Sequence, residues 1–120
     1  MRVDRLVKAA VTALEDIKAR DIVVLDVKRL TPMFDRIIIA SADSTRQSRA
    51  LARNLQEKLK AQGAPAHGVE GEQAGEWILV DLGAVVVHIM QPAVRQYYNL
   101  EELWTPPRAK RRRVAVRRAA

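Results

Sequence analysis

The spacing of apolar residues predicts two amphipathic helices. Between residues 4 and 19, apolar side chains recur every three or four positions, and Asp4 stands near the positive end of the helix. A longer helix is predicted to begin after Ser44, because Ser44 and Gln47 have the spacing of a capping box. It ends at residues 63–65, where glycine, alanine and proline form a left-handed cap and a stop. We expect both helices to cover a sheet.

Five short apolar segments are predicted to be the strands of that sheet. They are residues 22–27, 36–40, 66–69, 76–81 and 84–90. The first two are nearly continuous β-branched runs, which are typical of strands with both faces covered. The last two flank Leu82-Gly83 and are therefore expected to pair as a hairpin.

The C-terminal part of the domain is predicted to be helical. Pro92 suits the first turn of a short helix that runs through Tyr98, and Asn99 with Glu102 is expected to cap a last helical turn. The element order is then α-β-β-α-β-β-β-α. This order predicts a single α/β (α+β) domain, with a five-stranded mixed sheet and long helices packed mainly on one face.

One face of the predicted sheet lacks a cover. Five strands span about 24 Å, whereas two helices cover only one side, and little chain remains for the other. Trp77, Leu79 and Asp81 alternate with apolar residues that point the opposite way, so one set should reach an accessible surface. A large aromatic beside a charge is typical of a binding hot spot. The alternative, that Trp77 is a core residue, stays open because tryptophan is usually mostly buried.

The charge of the chain is concentrated at one end. Seven of the 21 Lys and Arg residues lie within residues 106–120, which contain no acid, so residues 1–105 hold 14 of each sign. We therefore predict a folded domain at residues 1–105 and a basic, disordered tail at residues 106–120. Without aromatic residues between its charges, the tail suits neutralisation of a nucleic-acid backbone better than base stacking.

The amino-acid composition limits the cellular compartments and the kinds of catalysis that fit this chain. The chain of 120 residues has no cysteine, which excludes thiolate catalysis and thiolate metal sites. Asp4, Arg5 and Lys8 interrupt any signal-like apolar run, and no apolar stretch has the length of a membrane span. We expect a soluble cytoplasmic protein.

The motifs that would indicate an enzyme are weak. The glycines near residue 70 lead into a strand, and no phosphate-binding loop occurs. Glu70, Glu72 and Asp81 could serve a metal-dependent nucleotidyltransferase or phosphohydrolase, but a solvated acidic loop facing a basic partner is the better interpretation. His88, flanked by apolar residues on a strand, fits a hydrogen-bonded structural histidine better than a metal ligand. We predict no catalytic residue, metal or cofactor.

Several motifs are distributed over residues 2–105. They are Asp21 to Val27, Ile39-Ala40-Ser41-x-x-Ser44-x-Arg46-Gln47, Gly68-Val69-Glu70-Gly71, Gly75-Glu76-Trp77-Ile78-Leu79-Val80-Asp81-x-Gly83, Val85 to His88, and Arg95-x-Tyr97-Tyr98-Asn99-Leu100-Glu101-x-Leu103-Trp104. Together these stretches resemble the ribosomal silencing factor family, also called the Iojap family. The resemblance implies a nucleotidyltransferase-like fold without the catalytic motif. It also implies a non-enzymatic factor that binds a large-subunit ribosomal protein at the intersubunit face. There it blocks subunit joining and represses translation under nutrient limitation.

The resemblance also implies which residues contact the partner. Trp77, Leu79 and Asp81 are assigned to the contact, with His88 and Met90 as neighbours that need not share their face, because the cross-strand register is unknown. Two departures, Asp35-Arg36-Ile37 for Asp-Tyr-Phe and Gln91-Pro92 for His-Pro, put nearby contacts in doubt. The tail lies outside the resemblance, and its expected contacts with ribosomal RNA involve Arg108, Lys110, Arg111, Arg112 and Arg113. A homodimer of the free protein through the apolar sheet face is a further alternative.

Overall fold

The two long helices form as their apolar spacing predicts. The computed structural model describes residues 1–104 and 116–117, in which α1 spans Val3–Asp16 and α2 spans Thr45–Ala61. The Ser44 hydroxyl accepts from the Gln47 amide at 3.0 Å, as the capping box requires. A capping box also predicts that the Gln47 side chain accepts from the backbone amide of Ser44. This second bond is wrong, because Gln47 Oε1 accepts from the Asp43 amide at 2.7 Å instead. Its Nε2 donates to the carbonyl of Ile17, which fastens the start of α2 to the end of α1.

The sheet contains the five predicted strands and one more. Their bounds are β1 Arg20–Asp26, β2 Arg36–Ser41, β3 Gly68–Glu70, β4 Trp77–Asp81, β5 Val85–Met90 and β6 Val116–Arg117. The spatial order is β3-β4-β5-β2-β1-β6, with β2 and β5 parallel and every other pair antiparallel. The mixed sheet and the β4–β5 hairpin are confirmed. The short β6 beside β1 was not predicted, and the rest of the tail lies outside the described residues, so its disorder stays a prediction.

Two short helices follow the hairpin. They are α3 Pro92–Tyr98 and α4 Leu100–Leu103. The predicted side-chain cap by Asn99 is wrong, because Asn99 ends α3 in the left-handed conformation with φ 47° and makes no side-chain cap bond. Its amide instead donates to the Arg95 carbonyl at 2.8 Å. Asn99 is therefore the residue at which the chain turns from one helix into the next.

The helices divide the sheet into two unequal apolar sides. The larger cluster, between the sheet and the long helices α1 and α2, is fully closed around Leu14, Leu55, Ile38 and Ile89. This confirms the expected packing of the long helices on one face. A smaller cluster on the opposite side is covered by α3, α4 and the loop before β2. Its members are Val23, Leu25, Val27, Ile37, Ile39 and Met90, with Phe34, Trp77, Val94, Leu100 and Trp104 packed against them.

None of the helices in the described residues has both the length and the apolar character needed to cross a membrane.

Candidate functional site

The hairpin register places all five predicted contact residues on one face of the sheet. Trp77 lies opposite Met90 and Leu79 lies opposite His88, while Asp81 occupies the next position of the same set on β4. Side chains directly opposite each other on paired strands point to the same side. This side faces away from α1 and α2. We call it the docking face, defined by Glu70, Trp77, Leu79, Asp81, Val86, His88 and Met90.

The five residues differ in how far they reach solvent. Trp77, Leu79 and Asp81 are partly exposed, whereas His88 is only 8% exposed and Met90 is 0% exposed. Met90 belongs to the smaller apolar cluster that α3 and α4 cover and has no exposed surface, so its contact with a partner stays a prediction. It supports Trp77 from below. The outer surface of the docking face is formed by these three β4 residues and the exposed Glu70 of β3.

Trp77 is neither a core residue nor a freely exposed one. Its Nε1–H donates to Nδ1 of His88 at 3.0 Å, and its ring lies 4.9 Å from the ring of Tyr98 and 5.9 Å from that of His88. Such centroid distances are those of interacting aromatic pairs. The indole is thus held between a strand neighbour and a helix neighbour, with one part still open to solvent.

His88 is neutral at physiological pH. Burial lowers the pKa of His88 from 6.5 to about 4, because the buried site disfavours the charged imidazolium. Since Nδ1 accepts the bond from Trp77, the single proton of the neutral ring is on Nε2. The predicted structural, hydrogen-bonded histidine is therefore the interpretation that the geometry supports.

Exposed aromatic residues on α3 enlarge the apolar surface beside Trp77. Tyr97 is 81% exposed and Tyr98 is 54% exposed, and their rings meet edge to face with centroids 4.9 Å apart. Exposed Tyr is common where a surface binds another protein. Both residues belong to one of the motifs that resemble the family, but no role was predicted for them. The signal that could have found them is two adjacent tyrosines on a helix too short to bury either.

Arg95 anchors the helices that flank the docking face. Its Nη1 donates to the Ser41 hydroxyl and to the Asp21 carbonyl, both at 2.7 Å, and its Nη2 pairs with Glu101 at 2.9 Å. The side chain is largely buried, so these partners compensate much of the cost of removing its charge from water. Arg95 therefore joins α3 and α4 to the end of β2. No function was predicted for Arg95 from the sequence.

The acidic loop before β4 is a structural connection in the described part of the chain. Arg49 of α2 donates to the carbonyls of Glu72 at 2.9 Å and Gln73 at 2.7 Å. At Gly71 a Cβ would lie 2.1 Å from the Trp77 carbonyl oxygen, so the loop can pass this close only without a side chain. Residues 1–104 and 116–117 contain no group of three or more His, Asp or Glu placed to hold a metal ion. The Asp81 carboxylate instead accepts from the Gly83 amide at 2.8 Å in the hairpin turn.

Of the residues that depart from the family motif, Arg36 and Gln91 lie outside the docking face, whereas Ile37 is buried on the same side of the sheet, beside Val86. Arg36 is opposite Val85, on the helix side of the sheet, where it pairs with Asp4 at 3.4 Å and Asp26 at 3.5 Å. Gln91 precedes α3 and donates its amide to the carbonyl of Glu76 at 3.0 Å. Neither substitution changes a side chain on the outer surface of β4. The five predicted RNA-contacting residues, Arg108, Lys110, Arg111, Arg112 and Arg113, are outside the described residues.

Comparison with known proteins identifies the family. The model described as "Ribosomal silencing factor during starvation" matches residues 1–119. The chain is 53% identical over 104 residues to a ribosomal silencing factor of Chromobacterium violaceum, covering 87% of this chain and 85% of that protein. It is 41% identical over 99 residues to the ribosomal silencing factor of Haemophilus influenzae, covering 82% of this chain and 97% of the relative.

Two further similarities concern a more distant relative and a solved structure. A mouse protein named "Mitochondrial assembly of ribosomal large subunit protein 1" is 38% identical over 98 residues, which are 79% of this chain and 43% of the mouse protein. A crystal structure from Chromobacterium violaceum superposes with a TM-score of 0.85 at 53% identity, covering 87% of each chain. The sequence motifs, the hairpin-centred fold and these matches agree, and the chain belongs to the ribosomal silencing factor family of translational regulators.

Proposed function

We propose that this protein represses translation by binding a protein of the large ribosomal subunit at the intersubunit face. The observation that supports this most directly is the docking face, where a partly exposed Trp77 lies on a sheet surface that the short helices cover only in part. Apolar surface of this kind, centred on a tryptophan, is typical of a protein interface. The large-subunit assembly named for the mouse relative supports the same ribosomal partner.

The mechanism we propose is steric and requires no chemical step. A domain bound where the small subunit must dock removes that surface from the association equilibrium, so the fraction of blocked large subunits follows from affinity and concentration. Under nutrient limitation, more bound factor would mean fewer joined ribosomes. Such a factor works in the cytoplasm, where both subunits meet.

The charge around the docking face favours a partner with basic side chains. Glu70 is exposed and lies opposite Leu79, and Asp81 follows Leu79 on the same face of β4. Two carboxylates at the rim of an apolar centre are complementary to lysine or arginine at the rim of the partner. Glu70 at the end of β3 and Asp81 at the end of β4 would thus both take part in binding.

Sedimentation of separated ribosomal subunits tests the proposal. Adding the protein to small and large subunits should reduce the joined peak, and the protein should travel with the large subunit. Trp77→Ala should weaken this binding by about 1–3 kcal/mol, the magnitude of a hot-spot truncation, while circular dichroism shows a folded domain. The matched control is Thr12→Ala on the exposed side of α1, which should bind as the unmodified protein does. Unchanged binding by Trp77→Ala would overturn the assignment of the docking face.

Two further parts of the proposal concern the tail and the free protein. The basic residues between positions 108 and 113 would add attraction to ribosomal RNA, which strengthens binding without selecting the partner. In the absence of ribosomes, a second copy of the chain could cover the same docking face, and dimer and ribosome would then compete. Sedimentation equilibrium of the free protein checks this, since Trp77→Ala should shift such a dimer toward monomer.

A further inference from the structure

Trp77 is oriented by a neighbour that lies diagonally across the hairpin. The residue directly opposite Trp77 is Met90, yet the indole extends along β4 toward His88, two positions back on β5. The resulting bond from Nε1 to Nδ1 is 3.0 Å, a normal length for two nitrogens. The side chain therefore has a directional partner in addition to its apolar contacts.

His88 has almost no surface of its own to offer a partner. It lies between Leu79 on β4 and Ile39 on β2 in the cross-strand register, and it is 8% exposed. Its nitrogen acceptor is already occupied by the indole. The group that a partner meets at this position is Trp77, with His88 beside it.

We infer that His88 is a positioning residue, which fixes the indole of Trp77 in its binding orientation and does not itself contact the partner. This inference rests on the proposed function. Trp77 has two torsions to fix, and its contacts with Met90 below and with Tyr98, which is itself 54% exposed, are apolar packing without a directional bond. The bond to His88 removes the remaining freedom before binding, so less conformational entropy is lost when the partner docks.

A pair of substitutions at position 88 separates positioning from packing. His88→Leu keeps an apolar side chain of similar size but removes the acceptor, whereas His88→Asn places an amide oxygen close to the position of Nδ1. We expect His88→Leu to weaken large-subunit binding by about two- to tenfold, the value of one hydrogen bond, and His88→Asn to recover most of that loss. Equal binding by all three proteins, or an Asn variant no better than the Leu variant, would overturn the inference.

Nuclear magnetic resonance gives a readout that altered packing alone does not produce. In the unmodified protein, the Nδ1 of His88 should resonate as an unprotonated, hydrogen-bonded nitrogen, and the indole proton of Trp77 should exchange slowly with solvent. The indole signal should shift and its exchange accelerate in His88→Leu, with partial return in His88→Asn. A proton on Nδ1 in the unmodified protein at neutral pH would contradict the inference even if neither variant folds.

Trp77→Ala in the same binding assay separates this inference from the proposed function. If Trp77→Ala binds normally, the docking face itself is wrong. If Trp77→Ala weakens binding and His88→Leu does not, the docking face stands and only the positioning role of His88 fails.

Discussion

The two faces of the sheet use the same strands but are covered to different extents. On one face, the 14-residue α1 and the 17-residue α2 close the large cluster completely. On the other, helices of seven and four residues cover β1, β2 and the end of β5 but leave Trp77, Leu79 and Asp81 of β4 partly exposed. Alternation along a strand supplies apolar residues to both faces, so the length of the covering helices decides which apolar surface becomes core and which stays available.

The comparison also separates what stabilises the fold from what serves binding. Each square ångström of apolar surface removed from water contributes about 25 cal/mol, so the closed face gains this on folding. The partly exposed Trp77 and Leu79 contribute only part of this free energy of burial in the free protein. The remaining part contributes to binding, when a partner covers both side chains. Substitutions on the two faces should therefore affect different measurements.

The largest expected effect is on the closed face. Leu55→Ala should lower the free energy of unfolding by about 2–5 kcal/mol, because Leu55 is fully buried between α2 and the sheet and its truncation leaves a cavity. The matched change on the docking face, Leu79→Ala, should cost about 1 kcal/mol or less in stability, since that side chain is already partly hydrated. Urea denaturation measures both. Similar losses would show that the faces are equally closed.

The next effect concerns the anchor of the short helices. Arg95→Met should lower the free energy of unfolding by about 2–3 kcal/mol, because Glu101 and the Ser41 hydroxyl lose their charged donor. Hydrogen exchange of the α3 and α4 amides should accelerate more than that of α1. Arg53→Met, at an exposed position of α2, is the control and should leave both measurements nearly unchanged. Slow exchange in α3 of the Arg95 variant would contradict the anchoring role.

A smaller effect should appear on acidification. His88 titrates near 6.5 when unfolded but near 4 when folded, so the unfolded chain binds more protons between these values. Stability should therefore fall as the pH drops from 6.5 to 4 and level off below. An interval of about 2.5 pH units at about 1.4 kcal/mol each sets an upper limit of about 3 kcal/mol for the His88 contribution. Denaturation of His88→Asn over the same range provides the reference, and identical pH profiles would refute this contribution.

The smallest expected effect concerns the basic tail, which lies outside both faces. It tests whether electrostatic attraction between the tail and ribosomal RNA only adds to binding by the docking face. Deleting residues 108–120 should flatten the salt dependence of large-subunit binding without abolishing it, since each RNA phosphate contact adds about 0.7–0.9 to the slope. Changing Arg111, Arg112 and Arg113 to Gln is the matched variant, because it leaves the β6 residues in place. An unchanged slope would remove RNA contact from the proposal.

Local pattern was sufficient to predict most of the elements and the family. Helix α2 begins at Thr45 because Ser44 caps it, and the β4–β5 hairpin forms about Gly83, whose φ of 90° suits a tight turn. Capping and turn geometry depend on a few neighbouring residues, which the sequence displays directly. The partly uncovered face of the sheet could also be predicted from the sequence, because two long helices can cover only one face of five strands.

The tertiary structure alone decided the register and the coverage of that face. It brought His88 and Met90 to the same side as Trp77, buried Met90 beneath the short helices, and turned Asn99 into a left-handed junction. It also assigned Arg95 its partners on β2 and α4. These outcomes depend on contacts between residues far apart in the chain, and a shift of one residue in strand pairing would reverse every side chain of the docking face.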